Sequence, residues 1–194
     1  VRRGSRISMR PGHRPKQIVV LVSGNGTNLQ ALIDGVGAGL IKGHIAGVIS
    51  NRKSAFGLER AKQAHLPAIH LPFAPHKEAV DPRASYDRAL AEKVAELKPD
   101  LIVLAGFMRI LGPSFLDGFK NRVINLHPAL PGTLTGANAI ERAHQAAQAG
   151  TMTSTGCMIH YVTNELDAGP VLGTRTIPMH PEMSFDQLKQ AMHR

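Results

Sequence analysis

The sequence predicts an α/β protein built on one open, mostly parallel, doubly wound sheet that closes with a C-terminal antiparallel pair of strands. Uninterrupted β-branched runs of strand length recur along the chain, as strands buried on both faces require. Stretches with apolar residues at helical spacing alternate with them, the pattern that puts helices on both faces of a parallel sheet. The first run, Ile18-Val19-Val20-Leu21-Val22, passes through Ser23-Gly24 and a glycine-rich turn into a helix, the opening of a βαβ unit.

Each element follows from local pattern. Leu29, Leu32, Ile33 and Val36 stand at i, i+3, i+4 and i+7, so a helix starts near Thr27 or Asn28. Residues 44–50 read as a second strand, 54–64 as a helix and 67–71 as a short third strand. Tyr86, Leu90, Val94 and Leu97 mark one face of a helix over about 84–97, and Pro99-Asp100 stops it before a buried strand at 101–105. A short helix near 113–119, a strand at 123–125 and a helix at 138–149 follow, the last with Ile140, Ala143 and Ala147 inward. Residues 157–162 and 171–177 form two strands joined through Asp167-Ala168-Gly169. Ser184 and Gln187 make a capping box, with Met183 and Leu188 placed as a hydrophobic staple, and a last helix of about three turns runs to Arg194. No repeat or linker interrupts 17–194, which is read as one domain.

Composition narrows the function classes. The chain is 43% apolar and 19% charged, enough for an ordinary core. Its one cysteine, Cys157, excludes an internal disulfide framework and a multi-thiolate zinc site, and suggests a reducing, cytoplasmic setting. No apolar run approaches the roughly 18 residues of a membrane span. The formal charge of +9 is uneven: Arg2, Arg3, Arg6, Arg10, Arg14 and Lys16 fall in an acid-free arm at 1–16, and the remaining 17 Lys and Arg face 14 Asp and Glu. The arm reads as an unstructured start, with Met9 as a candidate initiator; a short transit-like segment or a nucleic-acid-binding arm are the alternatives. The rest is mildly basic, suited to an anionic small substrate. With no Trp and two Tyr it offers few platforms for stacking bases, which disfavours a nucleic-acid partner.

Three groups at strand ends could share one acyl-transfer step. Asn125, an amide, and His127, an imidazole, follow the run Val123-Ile124, and Asp167, a carboxylate, follows the strand holding His160. Parallel sheets place ligands at such ends. An amide can stabilise an oxyanion, an imidazole can handle protons, and a carboxylate can hold the imidazole's charge. Each has a plainer reading, as a structural histidine or an Asx-turn acceptor. Pro128 and Pro131 fix an extended loop from which the imidazole cannot simply turn away. His160, in mid-strand, is expected to support the site from behind. The turn Gly24 to Asn28 is an anion cradle by its glycines and free helix N–H groups, or else a βα turn without a ligand. It is neither the dinucleotide pattern, since Leu29 stands at the third glycine, nor a Walker loop. Phe107 to Leu111 could wall a flat hydrophobic ligand or simply pack in the core, and Arg83 could meet an acidic ligand or solvent.

The segments Val22-Ser23-Gly24-Asn25-Gly26-Thr27-Asn28-Leu29, Ala105 to Leu111, Asn125-Leu126-His127-Pro128 and His160 to Pro170 together resemble the phosphoribosylglycinamide formyltransferases, in order over about 17–194. The resemblance implies a formyltransferase-like, Rossmann-type fold. It also implies formyl transfer from the co-substrate 10-formyltetrahydrofolate to 5′-phosphoribosylglycinamide in purine biosynthesis, without a metal, by a monomer or homodimer. By the same resemblance Gly26, Thr27 and Asn28 hold the substrate phosphate; Arg83, Met108, Arg109, Ile110 and Leu111 contact the folate; and Asn125, His127 and Asp167 are catalytic. Direct attack of the amine on the formyl carbon would give an oxyanion to which Asn125 and protonated His127 donate.

Two departures stand out. The stretch after His127 is Pro128-Ala129-Leu130-Pro131-Gly132 where the family has Pro-Ser-Leu-Leu-Pro. The final helix stops about two residues before the family's Glu-His pair, so it reads as truncated, with weaker substrate binding and an incompletely covered sheet expected. Rival readings are a formyltetrahydrofolate deformylase, which would carry an N-terminal regulatory domain, a tRNA formyltransferase, which would carry a C-terminal RNA-binding domain, and a non-enzymatic module that binds a ligand or, through the arm, nucleic acid.

Overall fold

The computed structural model describes residues 14–193; the greater part of the basic arm, at 1–13, lies outside the described residues. The elements run β1 (Lys16–Val22), α1 (Thr27–Gly37), β2 (Gly43–Ser50), α2 (Phe56–Gln63), β3 (Ala68–His70), α3 (Pro82–Glu96), β4 (Leu101–Leu104), α4 (Pro113–Leu116), β5 (Val123–His127), α5 (Ala139–Gln148), β6 (Ser154–Tyr161), β7 (Val171–Pro178) and α6 (Phe185–His193). Short 3-10 turns occur at Ala74–His76 and Asp117–Phe119. Among the described residues no helix is long and apolar enough to cross a membrane.

The strands form one sheet in the order β3-β2-β1-β4-β5-β6-β7, with β1 to β5 parallel and the last two pairings antiparallel. The expected architecture is borne out. From β1 the chain winds outward to β3, then returns to β4 on β1's other side. The two strands flank the switch point, where an open α/β sheet leaves a crevice at its carboxyl end.

Alternation along β1 builds the two layers. Val19 and Leu21 pack with Tyr86, Leu90 and Val94 of α3 on one face. Ile18, Val20 and Val22 pack with Leu29 of α1 and Ala61 of α2 on the other. Val19 to Val22 are fully buried, each contributing roughly 1.5–3 kcal/mol of apolar transfer. A third cluster joins Ala143 and Ala147 of α5 to Ile177 and to Leu188 of α6. The Ser184–Gln187 capping box forms reciprocally: Ser184 N–H donates to Gln187 Oε1 at 2.8 Å, and Gln187 N–H to Ser184 Oγ at 3.2 Å.

Two boundaries differ from expectation in ways that matter. Helix α3 starts at Pro82 because Asp81 caps it, its side chain accepting from Ala84 N–H at 2.9 Å. Strand β5 continues to His127, because its antiparallel ladder with β6 extends to the His127–Met158 pair.

Candidate active site

Register makes the floor of the site. Asn125 lies opposite His160, and Asn125 and His127, two residues apart on β5, project to the same face. The buried His160 sets its own tautomer: Nδ1 is 2.9 Å from the Tyr161 carbonyl, which can only accept, so Nδ1 carries a proton. Its Nε2 then accepts from Asn125 Nδ2 at 3.2 Å. One amide N–H is thereby committed, the amide's orientation is set, and a second N–H remains for the cleft that Asn125 lines.

Asp167 arrives from the connection between β6 and β7 with φ 53°, a left-handed conformation that Asp tolerates better than most side chains. Gly169 lets this turn close on β6: a Cβ there would overlap the Tyr161 carbonyl oxygen and stand 2.8 Å from its carbon. The Asp167 side chain is only 6% exposed. Its Oδ2 accepts from Gly136 N–H at 2.8 Å and sits 3.5 Å from His127 Nδ1, while Oδ1 is 3.6 Å from His160 Nε2. On the far side of the His127 ring, Nε2 donates to the Leu134 carbonyl at 2.7 Å. Both ring nitrogens thus face acceptors, an arrangement that an imidazolium satisfies fully.

The wall at 106–111 is pinned at both ends. Gly106, at φ 77°, turns the chain out of β4. Ser23 N–H donates to the Gly106 carbonyl at 3.0 Å, Ser23 Oγ accepts from Met108 N–H at 2.8 Å, and the same hydroxyl donates to Asn51 Oδ1 at 2.6 Å. At the other end Gly112 N–H donates to Asp87 Oδ2 at 2.7 Å, and Arg83 Nη2 donates to the Leu111 carbonyl at 2.9 Å. Burial pushes the Asp87 carboxyl above its ordinary range, against the Gly112 N–H and the charges of Arg83 and Arg109. Phe107 and Leu111 anchor in the core, leaving Met108 and Ile110 65% and 55% exposed on the cleft. The Arg109 guanidinium stacks over Phe73, 3.6 Å from the ring centroid. Wall, β5 floor and Asp167 turn enclose a cleft of about 480 Å³.

Beside the wall, at the end of β1, Gly26 takes φ 76° as N-cap of α1. Helix α2 presses on this turn: Gly57 N–H donates to the Gly24 carbonyl at 3.1 Å, and a Cβ on Gly26 would stand 2.7 Å from Gly57 Cα. The first N–H groups of α1 have no partner within the helix, and Thr27 is exposed.

Residues 16–194 match the family model described as "Formyl transferase". The chain belongs to the formyl transferase family. It is 45% identical over 184 residues to the phosphoribosylglycinamide formyltransferase of Schizosaccharomyces pombe, covering 91% of this chain and 89% of that one. It is 37% identical over 183 residues to the trifunctional purine biosynthetic protein adenosine-3 of Drosophila melanogaster, covering 93% of this chain but 13% of that protein. The crystal structure of glycinamide ribonucleotide transformylase 1 from Symbiobacterium toebii superposes with a TM-score of 0.84 at 37% identity, over 92% of this chain and 81% of that one.

In this formyl transferase Asn125, His127, His160 and Asp167 come together at the cleft, and Met108 to Leu111 line its wall. Gly26, Thr27 and Asn28 do not line that cleft; Ser23 couples their loop to it. Arg83, half exposed, donates from Nη2 to the Leu111 carbonyl at the end of the wall, and its Nε lies 3.9 Å from Asp87. His127 Nε2 points to Leu134, because the loop after His127 folds its own carbonyl onto that nitrogen. Sequence reasoning assigned no role to Ser23 or Asp87. Asp87 stands four residues after Arg83, a spacing that signals contact on one helix face.

Proposed function

We propose that this formyl transferase moves the formyl group of 10-formyltetrahydrofolate onto the amine of 5′-phosphoribosylglycinamide, in purine biosynthesis. The observation that carries the reading is the convergence of Asn125, His127 and Asp167 at one end of a cleft whose opposite wall is apolar. The names of the relatives support the choice of substrates.

In this mechanism the pterin lies against Met108 and Ile110, with Arg109 beside it, and Arg83 meets the folate at the Leu111 end of the wall. The phosphate rests on the N–H groups and side chains at Gly26, Thr27 and Asn28. The amine attacks the formyl carbon, and the C=O electrons move to oxygen. The free N–H of Asn125 donates to that oxyanion, and the oxygen takes the place of the Leu134 carbonyl at His127 Nε2. Asp167 holds the imidazolium during this step. The amine's surplus proton leaves through water to Asp167, the C–N10 bond breaks, and N10 takes a proton as tetrahydrofolate departs. No covalent enzyme intermediate is required.

The test is tetrahydrofolate formation from 10-formyltetrahydrofolate with and without 5′-phosphoribosylglycinamide, for wild type and His127→Ala. Turnover should require the acceptor and fall at least about 100-fold in the variant, as expected on losing an oxyanion donor. Acceptor-independent release of formate at the same rate would instead indicate water as the nucleophile.

A further inference from the structure

Arg60, on α2, reaches back over the glycine-rich turn. Its Nε donates to the Asn25 carbonyl at 2.9 Å, its Nη2 to Asn25 Oδ1 at 2.8 Å, and its Nη1 to Gln30 Oε1 at 3.2 Å. One planar fork thus joins the loop before α1 to the first turn of α1. The guanidinium also packs over the Phe56 ring, 5.0 Å from its centroid. All three acceptors are neutral oxygens. The neighbouring acid on α2, Glu59, pairs with Lys62 instead, and among the described residues no carboxylate lies within 4.0 Å of Arg60. Arg60 therefore keeps a full positive charge beside the turn and fixes its shape. Gly57, three residues earlier, admits the close approach of α2 that brings the guanidinium within reach.

We infer that Arg60 is the positioning residue of the phosphate-binding turn, holding Asn25 and α1 so that the Gly26–Asn28 donors converge on the phosphate, and adding a long-range attraction for that dianion. This rests on the proposed phosphate role of the turn. The guanidinium is committed to Asn25 and Gln30, so it acts through the loop. A lysine would keep the charge but lose the three-pronged hold, because an ammonium cannot reproduce the planar fork.

The test compares wild type with Arg60→Ala and Arg60→Lys, measuring kcat and KM for each substrate, and kcat/KM for the acceptor's dephosphorylated form, the glycinamide riboside. Binding of 5′-phosphoribosylglycinamide is measured separately by calorimetric titration without folate. Arg60→Ala should raise the KM and Kd for the phosphorylated acceptor about 10- to 100-fold, the scale of losing charge-assisted hydrogen bonds that shape a site. Its kcat at saturation and its KM for 10-formyltetrahydrofolate should stay within about twofold of wild type, an expectation from the role assigned to it. Preference for the phosphorylated over the dephosphorylated acceptor should shrink by the same factor as the KM rises, and Arg60→Lys should recover only part of it. An equal loss for both acceptors, a fall in kcat at unchanged KM, full recovery with lysine, or wild-type kinetics in Arg60→Ala would each overturn the inference. A wild type that neither binds nor formylates the acceptor would defeat the proposed function instead, so the two failures are distinct.

Discussion

Replacing Asp167 with asparagine removes the carboxylate's charge and, with it, the acceptor for the amine's proton. Asparagine shares aspartate's tolerance for the left-handed backbone at φ 53°, so the turn should survive. Gly136 N–H, 2.8 Å from Oδ2, selects the new amide's orientation, since only its oxygen can accept there. The amide nitrogen then faces His160 Nε2 at the longer separation of 3.6 Å, where the lone pair is already taken by Asn125. What disappears is the proton acceptor, together with the attraction between a carboxylate and an imidazolium at 3.5 Å. With an effective dielectric of about 20 that attraction is about 4–5 kcal/mol. The neutral oxygen retains part of it, so the charge alone is worth a loss of roughly 2–4 kcal/mol in the transition state, and kcat should fall by at least about 30- to 1000-fold. Steady-state formyl transfer should show kcat and kcat/KM falling together, because the charge is needed when the oxyanion forms. A folded Asp167→Asn enzyme with kcat within threefold of wild type (on the order of 0.7 kcal/mol) would refute the role given to this carboxylate.

Other substitutions probe the supports of the site. Gly169→Ala puts a methyl group into the Tyr161 carbonyl and must shift the Asp167 turn by about 1 Å or more, which should cost on the order of 100-fold in kcat; near-wild-type turnover in a variant of unchanged thermal stability would contradict the geometry. Tyr86, whose hydroxyl donates to the Leu71 carbonyl at 3.1 Å, is pushed up to about 12 by burial, with Asp87 adding and Arg109 opposing. Its folded value exceeds the ordinary tyrosine value of 10.0, so the stability linked to it is complete below that pH and is lost as pH climbs toward 12. An ultraviolet titration should show a tyrosine phase near 12 that vanishes in Tyr86→Phe; a phase unaltered by the substitution would count against this. Asp87 is also raised, so its contribution is present below 3.8 and lost as pH rises through its folded value. Asp87→Asn, which keeps an acceptor for Gly112 N–H, should therefore be at least as stable as wild type at neutral pH and flatter in its melting temperature on the acid side. A large loss of stability at neutral pH would show that the Arg83 and Arg109 charges outweigh burial.

Much of this was legible in the chain because it is local. The run at 18–22, the capping box at Ser184 and Gln187, and the i, i+3, i+4, i+7 series in α1 each express the physics of a few neighbouring residues. Asn125, His127 and Asp167 were legible as chemistry, since few segments place an amide, an imidazole and a carboxylate at strand ends. Direction was not legible. Arg83 displays a charge in the sequence, yet its hold on the Leu111 carbonyl and its approach to Asp87 come only from the fold. Likewise the extension of β5 to His127 comes from pairing with β6, over thirty residues away, as does the capture of Asn125 by His160. Arg60 went unnoticed because its partner Asn25 is separated by 35 residues, and nothing in the helix pattern distinguishes it from a solvated arginine.

Direct transfer between two bound substrates is tested most closely by rapid quench of the enzyme with isotopically labelled 10-formyltetrahydrofolate, before and after addition of 5′-phosphoribosylglycinamide. With folate alone the protein should keep its mass and release no tetrahydrofolate; once acceptor is added, label should pass to the amine as tetrahydrofolate forms in equal amount. A stoichiometric burst of tetrahydrofolate accompanied by a formylated protein, before any acceptor is present, would contradict a mechanism in which Asn125, His127 and Asp167 serve only to stabilise the oxyanion and move protons.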